Sequence, residues 1–180
     1  FYLESDARSV VDKFIENYNS KITDEMKQRA KTLGYTMDQM TALASVIQKE
    51  CDADIDECAN VSSVFHNRLK DPASFPKLES DVTTFYVSQN LKDVIGYQDG
   101  VALENQNDEV KKYMELYSTY YREGLPVGPI CNPGLKAINA ALHPADTNYV
   151  FFLTDKSGEH FYYASTIAEH NANGVKAGLF

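Results

Sequence analysis

The stretch from Thr36 to Glu50, TMDQMTALASVIQKE, is the part of the chain with the least structural freedom. Thr36 followed by Gln39 is a capping-box signature, and Met40, Leu43, Ala44 and Ile47 recur at the spacing of one helical face. The sequence therefore predicts an amphipathic helix with that face buried. Glu50 stands three residues after Ile47, four after Val46 and seven after Leu43, which at about 100° per residue places it inside the apolar stripe. An unpaired carboxylate is costly to bury, so this position points to a salt bridge or to chemistry that uses a raised pKa. A helix ending at a cleft edge, with Glu50 solvated or salt-bridged, is the plainer alternative.

With 180 residues, 43% of them hydrophobic, the chain can build one domain around its own core. Its 26 acidic and 17 basic residues leave a net charge of −9, which argues against nucleic acid or an anionic membrane surface and suits a neutral ligand. Twelve Tyr and nine Phe, with no Trp, supply flat amphipathic rings, mostly for the core and in the minority case for a sugar platform. Cys51, Cys58 and Cys131 make no disulfide framework and no metal-ligand spacing; Cys51 reads as a small buried hydrophobe, and no metal site or cofactor is expected. The longest apolar runs, such as Tyr149 to Leu153, fall far short of the ~20 residues that span a bilayer, and no signal-peptide pattern opens the chain. Because the first residue is Phe1 rather than Met, an upstream part is expected, and localisation is not legible from composition.

Taken in order, Asp6 to Tyr18 carries Val10, Val11, Phe14, Ile15 and Tyr18, an amphipathic packing helix capped at Ser5 or Asp6. After the link CDAD, Asp54 and Glu57 form a second capping signature for a helix with Cys58, Val61, Val64, Phe65 and Leu69, stopped before Pro72. Glu50 thus sits at a helix-to-helix corner. Residues 78–86 are β-prone and predict an extended segment or strand. Residues 104–116 read as a helix or a solvated insertion. The Gly/Pro-punctuated run from Gly124 to Gly134 predicts a rigid loop, with Asn132 and Pro133 as N-cap and N1 of the next helix. Residues 149–154 and 159–164 flank the turn Asp155 to Gly158 as a β-hairpin, and a last helix follows from Thr166. The expected architecture is α+β, helices packed with a small antiparallel β-sheet in a single catalytic domain, with 1–35 a leading helical segment and 36–171 the motif-bearing core.

The chain lacks G-x-S-x-G, P-loop and dinucleotide motifs, and His66, His143, His160 and His170 form no i, i+4 metal pair. What remains is Glu50, the polar run Glu79, Ser80 and Asp81, and a stiff aromatic loop: the equipment of a general acid with polar substrate positioning. Thr166 with Glu169 reads as a capping box rather than a catalytic pair, and His170 as a surface residue of a last turn.

ALASVIQKE, VFHNRL, LESDVTTFY, YSTYYREGLPVGPICNPG, AALHPADTNYVFF and the EHN of Glu169 to Asn171 resemble, in order, the motifs of the YceG-like (MltG) endolytic murein transglycosylases. The resemblance runs from about residue 36 to residue 171. It implies a bacterial lyase of cell wall biogenesis, anchored in the cell membrane by a single upstream span and acting outside the cytoplasm. It also implies an N-terminal LysM-like subdomain before Phe1. The implied partners are peptidoglycan glycan strands, with wall-synthesis proteins as further candidates. The family's catalytic glutamate falls on Glu50, which by resemblance protonates the glycosidic oxygen between N-acetylmuramic acid and N-acetylglucosamine. As carboxylate it then takes the proton of the muramic primary hydroxyl, closing a 1,6-anhydro ring without water. Residues 79–86 and 117–133 would bind sugar and peptide stem, with Glu79, Ser80, Asp81, Thr83, Tyr86, Ser118, Thr119, Tyr120, Leu125 and Asn132 as candidates.

The chain departs from the family pattern at Glu79 (usually Gln), Val82 (Pro), Ser118 (Asn) and Val127 (Pro). Glu79 is expected to put a second carboxylate near the cleft and to raise the pKa of Glu50. Two alternatives stay open: a lysozyme-type muramidase using Glu50 with Asp81 or Glu79, and a non-catalytic glycan-binding scaffold.

Overall fold

The computed structural model describes residues 6–51 and 54–179. The chain divides into two compact units, residues 1–37 and 38–180. In the first, Asp6 caps helix α1 (Ala7–Lys21) by accepting the Ser9 N–H at 2.7 Å. Ser5, the other candidate cap, lies outside the described residues. The helix is not the packing element its periodicity suggests: Val11, Phe14 and Ile15 are more than half exposed, and none of its residues is buried. Thr23 caps α2 (Asp24–Thr32) by accepting from Met26.

The second unit holds the α+β architecture. Helix α3 (Met37–Glu50) buries Met40, Leu43, Ala44 and Ile47, as its periodicity requires, and also Ala42, Ser45 and Val46. Each fully buried Leu or Ile contributes about 1.5–3 kcal/mol. Ser45 is enclosed as well because the Gly/Pro loop lies against the helix there. Ile130 N–H donates to Ser45 Oγ at 2.9 Å and Gly134 N–H to Gln48 Oε1 at 3.2 Å. Helix α4 (Ile55–Lys70) starts at Asp54, which accepts the Glu57 N–H at 2.9 Å.

Between α3 and α4, Cys51 and Cys58 form a disulfide, their Cα atoms 5.6 Å apart. Cys51 is buried, as expected, but it is half of a cross-link and not a lone hydrophobe. The corner brings together two residues whose spacing of seven carries no periodic or motif signal.

Residues 81–85, expected to be extended, are helical: α5 (Asp81–Phe85) runs into a π-helical turn at Tyr86–Asn90. Val82, Thr83 and Thr84 have strand propensity, but Thr83 Oγ1 turns back to donate to Ser80 O at 2.6 Å. Val87 then joins Ile95 of α6 (Lys92–Ile95) and Val110 and Met114 of α7 (Asp108–Tyr117) in a second small core. Burial outweighs local preference here. Asn107 caps α7 by accepting from Val110 at 2.9 Å, so the acidic 104–116 region is in part a core helix.

Helix α8 (Leu135–Leu142) has Gly134, not Asn132, as its N-cap, because the loop stays extended while bonded to α3. It packs on α4, where His66 Nε2 donates to Ala141 O at 2.8 Å. The hairpin forms as expected: β1 (Phe151–Thr154) pairs antiparallel with β2 (Phe161–Ala164) in the register Phe151↔Ala164 to Thr154↔Phe161. Helix α9 (Ile167–Lys176) packs on both strands, and Thr166 with Glu169 forms the expected capping box with both reciprocal bonds present.

Candidate active site

Glu50 ends α3, partly buried, at the wall of a cleft of about 570 Å³. Burial raises its pKa above the usual carboxylate range; the Ser80 hydroxyl opposes this by donating to Oε1 at 2.6 Å, and the charge of Asp81 raises it again. The net direction is upward, which keeps a proton on Glu50 at higher pH than on a solvated glutamate.

Ser80 is held in place by a buried hydroxyl network. Its N–H donates to Thr119 Oγ1 at 2.9 Å and its carbonyl accepts from Thr83 Oγ1 at 2.6 Å, while Thr119 N–H donates to Thr83 Oγ1 at 3.0 Å. Beside it, Ser118 Oγ and Thr84 Oγ1 are 2.6 Å apart. Ser80, Thr83, Ser118 and Thr119 are all nearly or fully inaccessible, so these bonds form in a low-dielectric setting where satisfied networks are stiff. Just before Ser80, Glu79 has φ +55°, the positive φ found at no other non-glycine residue among those described. A glutamate there is strained, and Glu79 N–H donating to Thr119 O at 3.2 Å is one of the contacts that hold it.

Asp81 accepts the Tyr120 hydroxyl at 2.8 Å. Burial, the bond to Asp81 and the nearby charges of Asp81, Glu79 and Glu50 push the Tyr120 phenol up to about 12, so it stays a donor. Arg68, from α4, reaches the same cleft. Its Nε donates to Val150 O at 2.7 Å and its Nη1 to Leu78 O at 2.9 Å and to Glu79 Oε2 at 3.2 Å. Glu79 is therefore an ion-pair partner of Arg68 with a side chain 54% exposed, and it is not among the causes of the Glu50 shift. The expectation that Glu79 raises the pKa of Glu50 is corrected: the neighbouring carboxylate that does so is Asp81.

Of the residues singled out from the sequence, Glu50, Glu79, Ser80, Asp81 and Tyr120 line the cleft, and Thr83, Ser118 and Thr119 form the network beneath it. Tyr86 instead packs against Tyr117, ring centroids 5.0 Å apart, on the second core. Leu125 and exposed Asn132 do not line the cleft. The sequence reading missed Arg68, Phe151, Phe152 and His170, which do. His170 is not a last-turn surface residue: it lies in the first half of α9 and stacks on Phe151 with centroids 5.2 Å apart. Its place in EHN and the place of Arg68 in VFHNRL were the available signals. No group of His, Cys, Asp and Glu that could hold a metal ion occurs among the described residues, and no helix there is long and apolar enough to cross a membrane.

Comparison with known proteins places this site in context. An endolytic murein transglycosylase of Bacillus subtilis is 32% identical over 168 residues, 93% of this chain and 42% of that protein. An endolytic murein transglycosylase of Streptococcus pneumoniae is 26% identical over 165 residues, 92% of this chain and 27% of that protein. The crystal structure of a yceG-like protein from Listeria monocytogenes superposes with a TM-score of 0.70 at 25% identity, covering 96% of this chain and 50% of that one. The chain thus spans half or less of the length of these relatives. The model of the YceG-like family matches residues 1–176, and the chain belongs to that family.

Proposed function

We propose that this chain carries the catalytic site of an endolytic peptidoglycan lytic transglycosylase that cleaves between N-acetylmuramic acid and N-acetylglucosamine. The observation that carries the reading is Glu50: one carboxyl group on a cleft wall, its pKa raised by burial and its orientation set by the Ser80 hydroxyl. Protonated Glu50 gives its proton to the glycosidic oxygen as the bond to muramic C1 breaks. The resulting carboxylate takes the proton of the muramic C6 hydroxyl, whose oxygen closes on C1, so the 1,6-anhydro product forms and Glu50 is reprotonated. The names of the relatives support the substrate class; work outside the cytoplasmic membrane on glycan strands, with wall-synthesis proteins as neighbours and an anchor outside these residues, is part of the same proposal.

A muramidase is the second reading, because Glu79 and Asp81 also line the cleft. Such a hydrolase needs a second carboxyl group roughly 5–9.5 Å across the scissile bond. Against it, both candidate second carboxylates are already engaged, Asp81 by the Tyr120 hydroxyl and Glu79 by Arg68. Digestion of purified peptidoglycan in ¹⁸O-labelled water separates the two. Transglycosylation yields 1,6-anhydro ends, one water lighter and without label, whereas labelled reducing muramic ends establish hydrolysis. Glu50→Gln, nearly isosteric, is expected to fold and to lose cleavage; a folded variant cleaving at the wild-type rate refutes the assignment of Glu50, whereas wild-type protein that binds glycan without cleaving it leaves the glycan-binding scaffold.

A further inference from the structure

Among the hydrogen-bonding side chains of the cleft that the cleavage step leaves unused are Arg68 and His170. The Arg68 side chain is only 9% exposed. Its Nε and Nη1 are bonded, but Nη2 has no hydrogen-bond partner among the described residues. His170 Nδ1 is buried and likewise without a partner. Both groups rest on one ring: the Arg68 guanidinium carbon lies 5.2 Å from the Phe151 centroid, and the His170 ring stacks on Phe151 at 5.2 Å. Buried polar groups are normally paired, so the unpartnered His170 Nδ1 calls for a ligand group or water that a small adjustment of the ring would admit, while Arg68 Nη2, not among the buried unpaired atoms, is left to donate to solvent or ligand.

We propose that the Arg68–Phe151–His170 wall is a subsite for a secondary amide, the acetamido group of an N-acetyl sugar. The proposal rests on the glycan substrate class argued above and assigns the part of the cleft that reads it. Charge and shape select the amide. Glu50, Glu79 and Asp81 line the same cleft, and Glu79 already opposes the Arg68 charge, so an anionic ligand meets net repulsion. Burial and then the nearby Arg68 charge lower the pKa of His170, which keeps the imidazole neutral, with one nitrogen able to accept. An amide supplies an oxygen for Arg68 Nη2, an N–H for His170 and an apolar methyl for the Phe151 face. A hydroxyl offers no methyl.

The test measures binding, using the full chain carrying Glu50→Gln so that ligand is not consumed. Calorimetry compares chitotetraose with cellotetraose, the same β-1,4 chain with hydroxyls in place of acetamido groups. Adding His170→Phe keeps a ring on Phe151 and removes both nitrogens. The preference for chitotetraose is expected to fall about three- to tenfold, the size of one hydrogen bond, with cellotetraose binding unchanged. His170→Gln, which restores a donor and an acceptor, is expected to recover most of the preference and guards against a folding defect. The free stem dipeptide L-alanyl-D-isoglutamine, which has a peptide bond and no sugar acetamide, identifies the source of the amide: an effect confined to this ligand assigns a peptide bond of the stem and overturns the sugar assignment. Equal weakening toward both tetraoses, or none toward any amide ligand, overturns the proposal. Because no arm depends on cleavage, failure of the transglycosylase reading shows separately, as wild-type protein that leaves peptidoglycan intact.

Discussion

Replacing Ser80 by alanine tests how Glu50 is held. The Ser80 hydroxyl donates to Glu50 Oε1 at 2.6 Å from a position that is 3% exposed. A bond to an ionised acceptor in such a setting contributes about 1.5–3 kcal/mol, and one to a neutral acceptor about 0.5–1.5 kcal/mol. Ser80→Ala is therefore expected to cost about 1.5–3 kcal/mol where Glu50 is ionised, but only about 0.5–1.5 kcal/mol in a Glu50→Gln background, whose amide oxygen still accepts. The coupling between the two positions is the difference, about 1 kcal/mol, and it should vanish at low pH, where Glu50 is protonated. The same bond lowers the pKa of Glu50, so its loss moves the upper limb of the activity profile to higher pH. Denaturant unfolding of wild type, both single variants and the double variant from pH 4 to pH 8 gives the coupling, and initial cleavage rates give the limb. Zero coupling throughout, or a limb displaced to lower pH, would refute the arrangement.

Glu79→Gln breaks one partly exposed ion pair with Arg68, so it is expected to cost no more than about 1 kcal/mol and to leave the upper limb of the pH profile in place; a clear downward move would mean that Glu79 does act on Glu50. Glu50 itself has a folded pKa above its unfolded value. Its contribution is intact below the unfolded value of about 4.3 and is lost as pH rises through the folded one. Glu50→Gln should therefore gain stability relative to wild type from pH 4 toward neutrality, by about 1.4 kcal/mol per unit of upward shift, and a pH-independent difference in denaturant midpoints would place Glu50 in solvent. Reducing the Cys51–Cys58 disulfide, which closes a short loop, is expected to cost about 2–3 kcal/mol; an unchanged midpoint under reductant would show that the bond contributes nothing.

Local physics made several elements legible from sequence. The apolar period of α3, the Asp54 cap of α4, the hairpin around Asp155 to Gly158 and the Thr166 capping box each depend on residues within a few positions of one another. Glu50 stood out for the same reason, as a carboxyl group interrupting a helical stripe, and the family motifs pointed to the Ser80 and Asp81 segment around it. What escaped was set by contacts between distant residues. The β-prone run at Val82 became helical because Val87 had a core to enter with Val110 and Met114. The N-cap of α8 moved to Gly134 because Ser45 and Gln48 hold the preceding loop extended. The cysteine pair needed the α3–α4 corner before it was within bonding reach. Arg68 and His170 lie in the family motifs VFHNRL and EHN, but the periodicity of their own helices does not single them out, and only the packing of α4 and α9 against β1 brings both onto Phe151. Backbone periodicity and capping are encoded within a turn or two of chain; the chemistry of a cleft depends on which side chains tertiary packing leaves facing one another, and whether their hydrogen bonds are met.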